Sequence, residues 1–253
     1  MKYYFLAFTA IVLLSSSCLR KECRDIPGGY EFEIPVTLAP AKDTFRIGDT
    51  ISISSTFDDM VFEQKTQEYY LLEYFEFFPS VAVYKIDEVP ANEDGLAEFE
   101  ILISDQYNFS YQKFSSGASG LVGEYTYNEQ DNEYSLKFQL VAASEGLYYL
   151  EYGISPDLKS QDFPSKCNNI GISTGTLLLN QGQDNNISFL EDSPDPHYNN
   201  WILQNPTDRF YKFGGYCFYV AEWDETFMGR QRRNRPPDAS SAAICESWAE
   251  HLE

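Results

Sequence analysis

The sequence predicts an all-β fold, an antiparallel sandwich with a loop-rich C-terminal part and a short terminal helix. Three observations lead there. Two stretches alternate with a period of two: Tyr30, Phe32, Ile34, Val36 and Leu38 share one face of the first, and Tyr134, Leu136, Phe138 and Leu140 one face of the second. Strand-like runs recur at short spacing with no amphipathic helix between them, which favours antiparallel pairing over βαβ units. Aromatics make up 16% of the 253 residues and are almost all Tyr (19) or Phe (19), types that suit half-buried sheet faces.

The elements follow in chain order. Met1-Lys2 give a positive start, and Tyr3 to Leu14 form an apolar run. Such a run is too short to span a bilayer as a helix, which needs about 20 residues. It fits the apolar region of a secretory signal. Ser15-Ser16-Ser17 then lead straight into Cys18. This string resembles the lipobox of bacterial lipoproteins, with Ser15 where that family usually has Leu and Leu14 one place earlier. The resemblance covers residues 1 to 18. It implies a signal peptide over 1–17, a lipid-modified N-terminal Cys18, and a tether over 18–29. It also implies an exported protein at the outer membrane, facing the periplasm or the cell surface. Leu19 replaces the Asp that retains enterobacterial members at the inner membrane. Three acyl chains would anchor such a protein stably, since two already suffice. The alternative is an ordinary signal peptide cut near Ser17.

Tyr30 to Leu38 reads as a half-buried strand, and Pro35 places it at an edge or a bulge. Phe45–Ile47 and Ile51–Ile53 read as short strands around a turn at Gly48-Asp49. Val81–Ile86 and Phe99–Ile103 are strands separated by the turn-rich Pro90–Gly95, while Gly117–Gly123 reads as small and flexible. Leu147 to Tyr152 is a further strand after the one at 134–140.

Phe45-Arg-Ile-Gly-Asp-Thr-Ile51 resembles the strand-turn-strand opening of Ig-like modules in secreted bacterial proteins. Gly146-Leu-Tyr148 is similar to the Gly-x-Tyr of a tyrosine corner, with Ser144 in place of the usual Asp. The resemblance implies an Ig-like sandwich domain over 30–155, although no Trp occurs between residues 30 and 200.

Residues 156–253 read as a loop-rich β extension. His197–Gln204 makes one or two helical turns with Tyr198, Trp201 and Ile202 on one side. Tyr211–Ala221 is a strand with a bulge or turn at Gly214-Gly215, and Asp238 caps a terminal helix.

The formal net charge of −21 excludes nucleic acid as a partner, because a polyanion repels a polyanion. Two His leave little material for His-based catalysis or zinc. With Cys18 lipidated, Cys23, Cys167, Cys217 and Cys245 remain, without C-x-x-C spacing. A Cys167–Cys217 bridge is the favoured pairing; the alternative is one or more free buried thiols.

Gly171-Ile-Ser-Thr-Gly175 matches G-x-S-x-G. No buried strand precedes it and no helix follows, so it reads as a turn and Ser173 as no nucleophile. Acidic loops around Asp184, Asp192 and Asp195 lack EF-hand spacing, and His197 with Asp195 and Asp192 is the weak zinc combination. No catalytic residue, metal or cofactor is assigned. Asn108-Phe-Ser110 and Asn186-Ile-Ser188 fit the N-glycosylation pattern, and Asp49-Thr-Ile51 a D-[ST]-aliphatic O-glycosylation acceptor.

Arg230, Arg232, Arg233 and Arg235 concentrate four of the 18 basic residues within six positions. They are candidate contacts for an acidic sugar, a lipid headgroup or an acidic protein; the alternative is pairing with the molecule's own carboxylates. All three Trp (Trp201, Trp223, Trp248) also fall in this C-terminal third. The expected function is a lipid-anchored, non-enzymatic binding or structural module with a protein or glycan partner. The alternative is an exported, carboxylate-dependent glycoside hydrolase.

Overall fold

The computed structural model describes residues 26–114, 117–156, 161–164, 166–167, 170–179 and 184–222. The signal peptide, Cys18, the Arg230–Arg235 cluster, Trp223, Trp248 and the terminal helix lie outside the described residues.

The described residues form two stacked sheets. In chain order the strands are β1 (Tyr30–Ala39), β2 (Thr44–Arg46), β3 (Thr50–Asp58), β4 (Met60–Glu63), β5 (Glu68–Leu71), β6 (Phe77–Lys85) and β7 (Phe99–Ile103). There follow β8 (Asn108–Lys113), β9 (Ser119–Glu124), β10 (Thr126–Asn128), β11 (Glu133–Ala142), β12 (Gly146–Pro156), β13 (Ile172–Leu179) and β14 (Tyr216–Ala221). One sheet has the order β10-β11-β3-β1-β4-β5, with β13 beside β1 and β7 beside β11; the other runs β2-β14-β12-β6-β9-β8.

The alternating positions face inward as expected. Tyr30, Phe32, Ile34, Val36 and Leu38 are buried, as are Tyr134, Leu136, Phe138 and Leu140. They meet Val81 and Val83 of β6, Tyr148, Leu150 and Tyr152 of β12, and Phe218 of β14 in the main core. The tyrosine corner is formed: the Tyr148 hydroxyl donates to the Ser144 carbonyl at 3.1 Å, across the β11–β12 turn.

Several local expectations are corrected. Pro35 is not at an edge, because β1 lies inside its sheet. Its antiparallel partners are β4 at Phe32 and β3 from Thr37 onward. Pro35 falls in the gap between those two pairings, where its missing N–H is not needed. Its carbonyl still accepts the Ser55 hydroxyl.

Gly117–Gly123 is not a flexible stretch, since β9 begins at Ser119 and is largely buried. Small residues are required there because the rings of β8 and its following turn lie flat on it. A Cβ on Gly123 would sit 2.5 Å from Phe109, and one on Gly120 3.0 Å from Phe114.

The sheets are not wholly antiparallel. Strand β13 runs parallel to β1 from Tyr30↔Ile172 to Thr37↔Leu179, and β14 runs parallel to β2. The Gly171–Gly175 string is thus the start of a strand rather than a turn. The Ser173 hydroxyl donates to the Tyr30 carbonyl at 3.0 Å, a sheet-edge contact unlike a nucleophile elbow.

The Cys167–Cys217 bridge is not formed. Cys167 is disulfide-bonded, and Cys217 is a buried free thiol. The Cys167 amide donates to the Tyr30 hydroxyl beside the main core. Cys217 points outward, into a second core described next.

Candidate binding groove

Strand β12 is apolar on both faces. Tyr148, Leu150 and Tyr152 point into the main core, while Leu147 and Tyr149 point out and are equally buried. What covers them is the chain from 184 to 215, wound into short helical segments at Ile187–Asp192, His197–Ile202 and Thr207–Tyr211. Leu190, Tyr198, Ile202 and Phe210 descend from these onto Ile86, Leu147, Tyr149 and Cys217 to form the second core.

The segment starts are fixed by polar side chains. The Asp195 carboxylate accepts the His197 amide at 2.9 Å with one oxygen and the Ala91 amide at 3.0 Å with the other. This clips the 90–92 loop to the cap, and these two amides hold the Asp195 carboxyl below its ordinary range. The buried Ser193 hydroxyl donates to the Ile86 carbonyl at 2.6 Å.

The cap stops short of Glu151, the next outward position on β12. There the cap and the sheet leave a groove of about 470 Å3, lined among others by Tyr84, Glu151, Tyr198, Trp201, Arg209 and Phe213. The opposite residue on β6 is Ala82, which leaves space above the sheet, whereas Tyr84 faces Tyr149. Those two rings stack at 5.8 Å and 20°. The Tyr84 hydroxyl donates to the Glu151 carboxylate at 3.3 Å. Burial raises the Glu151 carboxyl, and this hydrogen bond offsets only part of that. Burial, first among the causes, also pushes the Tyr84, Tyr149 and Tyr198 phenols well above their ordinary range, so all three are neutral.

On the rim, Trp201 is 46% exposed. The His197 ring stacks on it at 4.8 Å and 18°. The Arg209 guanidinium carbon sits 4.0 Å from the same ring centroid, and its Nη1 donates to the Trp201 carbonyl. The indole is thus held by two neighbours while much of it stays open to solvent.

The expected grouping of Tyr198, Trp201 and Ile202 on one side is thereby split. Tyr198 and Ile202 are core, and Trp201 is rim. The His197, Asp195 and Asp192 combination is not assembled: His197 stacks on Trp201, and the Asp192 carboxylate accepts the Tyr219 hydroxyl at 2.9 Å. Among the described residues no group of three or more His, Cys, Asp or Glu gathers as a metal site. The Asn186 side chain is also engaged, donating to the carbonyls of Cys217 and Lys42.

Sequence reasoning missed Tyr84, Glu151 and Arg209. The signal for Glu151 was present: Leu147-Tyr-Tyr-Leu150 is a continuous apolar run, which marks a strand covered on both faces. Glu151 is the charge that ends it.

No family model matches the chain, and no curated protein matches it. Three solved structures resemble the fold, each at a TM-score of 0.29. The reeler domain of human F-spondin is 12% identical and covers 56% of this chain and 89% of its own. A non-cellulosomal cohesin from the archaeon Archaeoglobus fulgidus is 9% identical and covers 82% of this chain and 98% of its own. A type II cohesin domain from the cellulosome of Acetivibrio cellulolyticus is 9% identical and covers 57% and 91%. Each is a likeness of β-sandwich outline, without information about the groove.

Proposed function

We propose that this chain is an exported, lipid-anchored, non-enzymatic binding module whose recognition surface is the groove beside Trp201. The observation that carries this is the groove's composition. An exposed indole held in place by His197 and Arg209 stands over a half-buried carboxylate and neutral phenols. Recognition sites commonly combine a rigid aromatic anchor with a few directed polar groups. The helical cap that builds the groove comes from the C-terminal third, and its loops rest on a rigid sheet.

The test is an array of immobilised glycans and peptides probed with the full-length chain and its Trp201→Ala variant. Signals retained by the parent and lost by the variant support the reading. Signals that survive Trp201→Ala place recognition elsewhere and overturn it.

The anchor is proposed at Cys18, from the apolar run and the Ser15–Cys18 string. Expressed in a Gram-negative host, the chain should label with palmitate and partition with detergent. Cys18→Ala should do neither, and a variant still held in the membrane phase would refute the anchor.

A further inference from the structure

We infer that the groove takes a protonated primary amine of the lysine side-chain type, with Glu151 as its counter-ion; this rests on the groove being the recognition surface. Glu151 is a half-buried carboxylate whose hydrogen bond comes from a phenol at the long distance of 3.3 Å. Among the described residues no Lys, Arg or His lies within ion-pair distance of it. A carboxylate removed from water without a cation is costly, and a cation that arrives restores what was lost.

The nearby cation is committed elsewhere. Arg209 sits over the Trp201 ring and is tied to that residue's carbonyl. Glu93, Asp195 and Asp208 also line the groove, so carboxylates outnumber the one permanent cation. The chain's net charge of −21 adds a field that draws cations inward.

An ammonium on a thin alkyl stem needs only acceptors. Its three N–H donors can meet the Glu151 carboxylate and the oxygen atoms of neutral phenols, and its stem can lie along aromatic edges.

The experiment titrates the full-length chain, by calorimetry and by amide NMR shifts, with Nα-acetyl-lysine N-methylamide and with the same probe acetylated at Nε. The free amine should bind at least tenfold more tightly, and Glu151→Gln should remove that preference without lowering the melting temperature. Equal binding of the two probes, or a preference that survives Glu151→Gln, overturns the inference. If array ligands need Trp201 while neither lysine probe binds, the amine is wrong and the binding module stands. If array ligands ignore both Trp201→Ala and Glu151→Gln, the module reading itself falls.

Discussion

The Glu63 carboxylate accepts the backbone amide of Glu31, 32 positions earlier in the chain, at 2.7 Å. Its second oxygen takes the Thr66 amide at 2.6 Å and the Thr66 hydroxyl at 2.7 Å. One fully buried acid thus closes the β4–β5 turn and ties it to β1. Burial alone would raise its carboxyl; the Glu31 and Thr66 donors outweigh burial and lower it. A lowered folded-state value means the contribution is complete above the ordinary value of 4.5 and is lost as pH falls through the folded value. Glu63→Gln sets an NH2 against these donors, and hydrogen bonds to a charged group contribute about 1.5–3 kcal/mol. Urea unfolding should show a loss of that size at pH 7, narrowing as pH falls below 4.5. A gap that widens in acid would contradict the assignment.

Two tyrosines rank a second prediction. The Tyr134 hydroxyl donates to the Leu72 carbonyl and accepts the Phe75 amide, both in a buried setting. The Tyr148 hydroxyl serves carbonyls at the partly exposed corner. Tyr134→Phe strands a buried donor and acceptor and should cost about 2–3 kcal/mol, against about 1 kcal/mol for Tyr148→Phe. Equal losses, measured by denaturant midpoints at constant m, would mean the β5–β6 connection gives way at no cost.

Strand alternation made the main core legible, because residues such as Phe32 and Phe138 repeat every second position. The Gly146-Leu-Tyr148 string located the corner for a similarly local reason. The second core was less legible. Its covering residues, Leu190, Tyr198, Ile202 and Phe210, sit in short 3₁₀ and π turns that have no long helical period to detect. Parallel pairing of β13 with β1 joins positions far apart in sequence, and no local pattern encodes such a partner. The cysteine pairing failed likewise, since which face of β14 carries Cys217 depends on the cap above it.

That failure gives a third prediction. With Cys217 under the cap and Cys167 bridged, non-reducing peptide mapping should find Cys167 in a disulfide and Cys217 as a thiol. Burial raises the Cys217 thiol well above its ordinary value, so little thiolate exists at neutral pH. Iodoacetamide should modify Cys217 only in denaturant. Rapid labelling of the native protein would show that the 184–215 cap opens readily. A peptide linking Cys167 to Cys217 would contradict the second core itself.

The last prediction joins stability to the groove. Burial raises the Glu151 carboxyl above its ordinary value of 4.5. For a carboxyl shifted this way the folded state disfavours the charged form. The penalty is absent while both folded and unfolded chains are protonated, and it grows as pH rises from 4.5 through the folded value. Tyr84, Tyr149 and Tyr198 stay neutral over that range, and the amides of Ala91 and His197 hold the Asp195 carboxyl below its ordinary range. Glu151→Gln should therefore melt higher than the parent at pH 7 and at the same temperature near pH 3.5, by calorimetric scans. Natural sequences keep such local costs where a site needs them. A variant that melts lower at pH 7 would mean that Glu151 is a structural acid, like Glu63, and that its charge already has a partner in the folded chain.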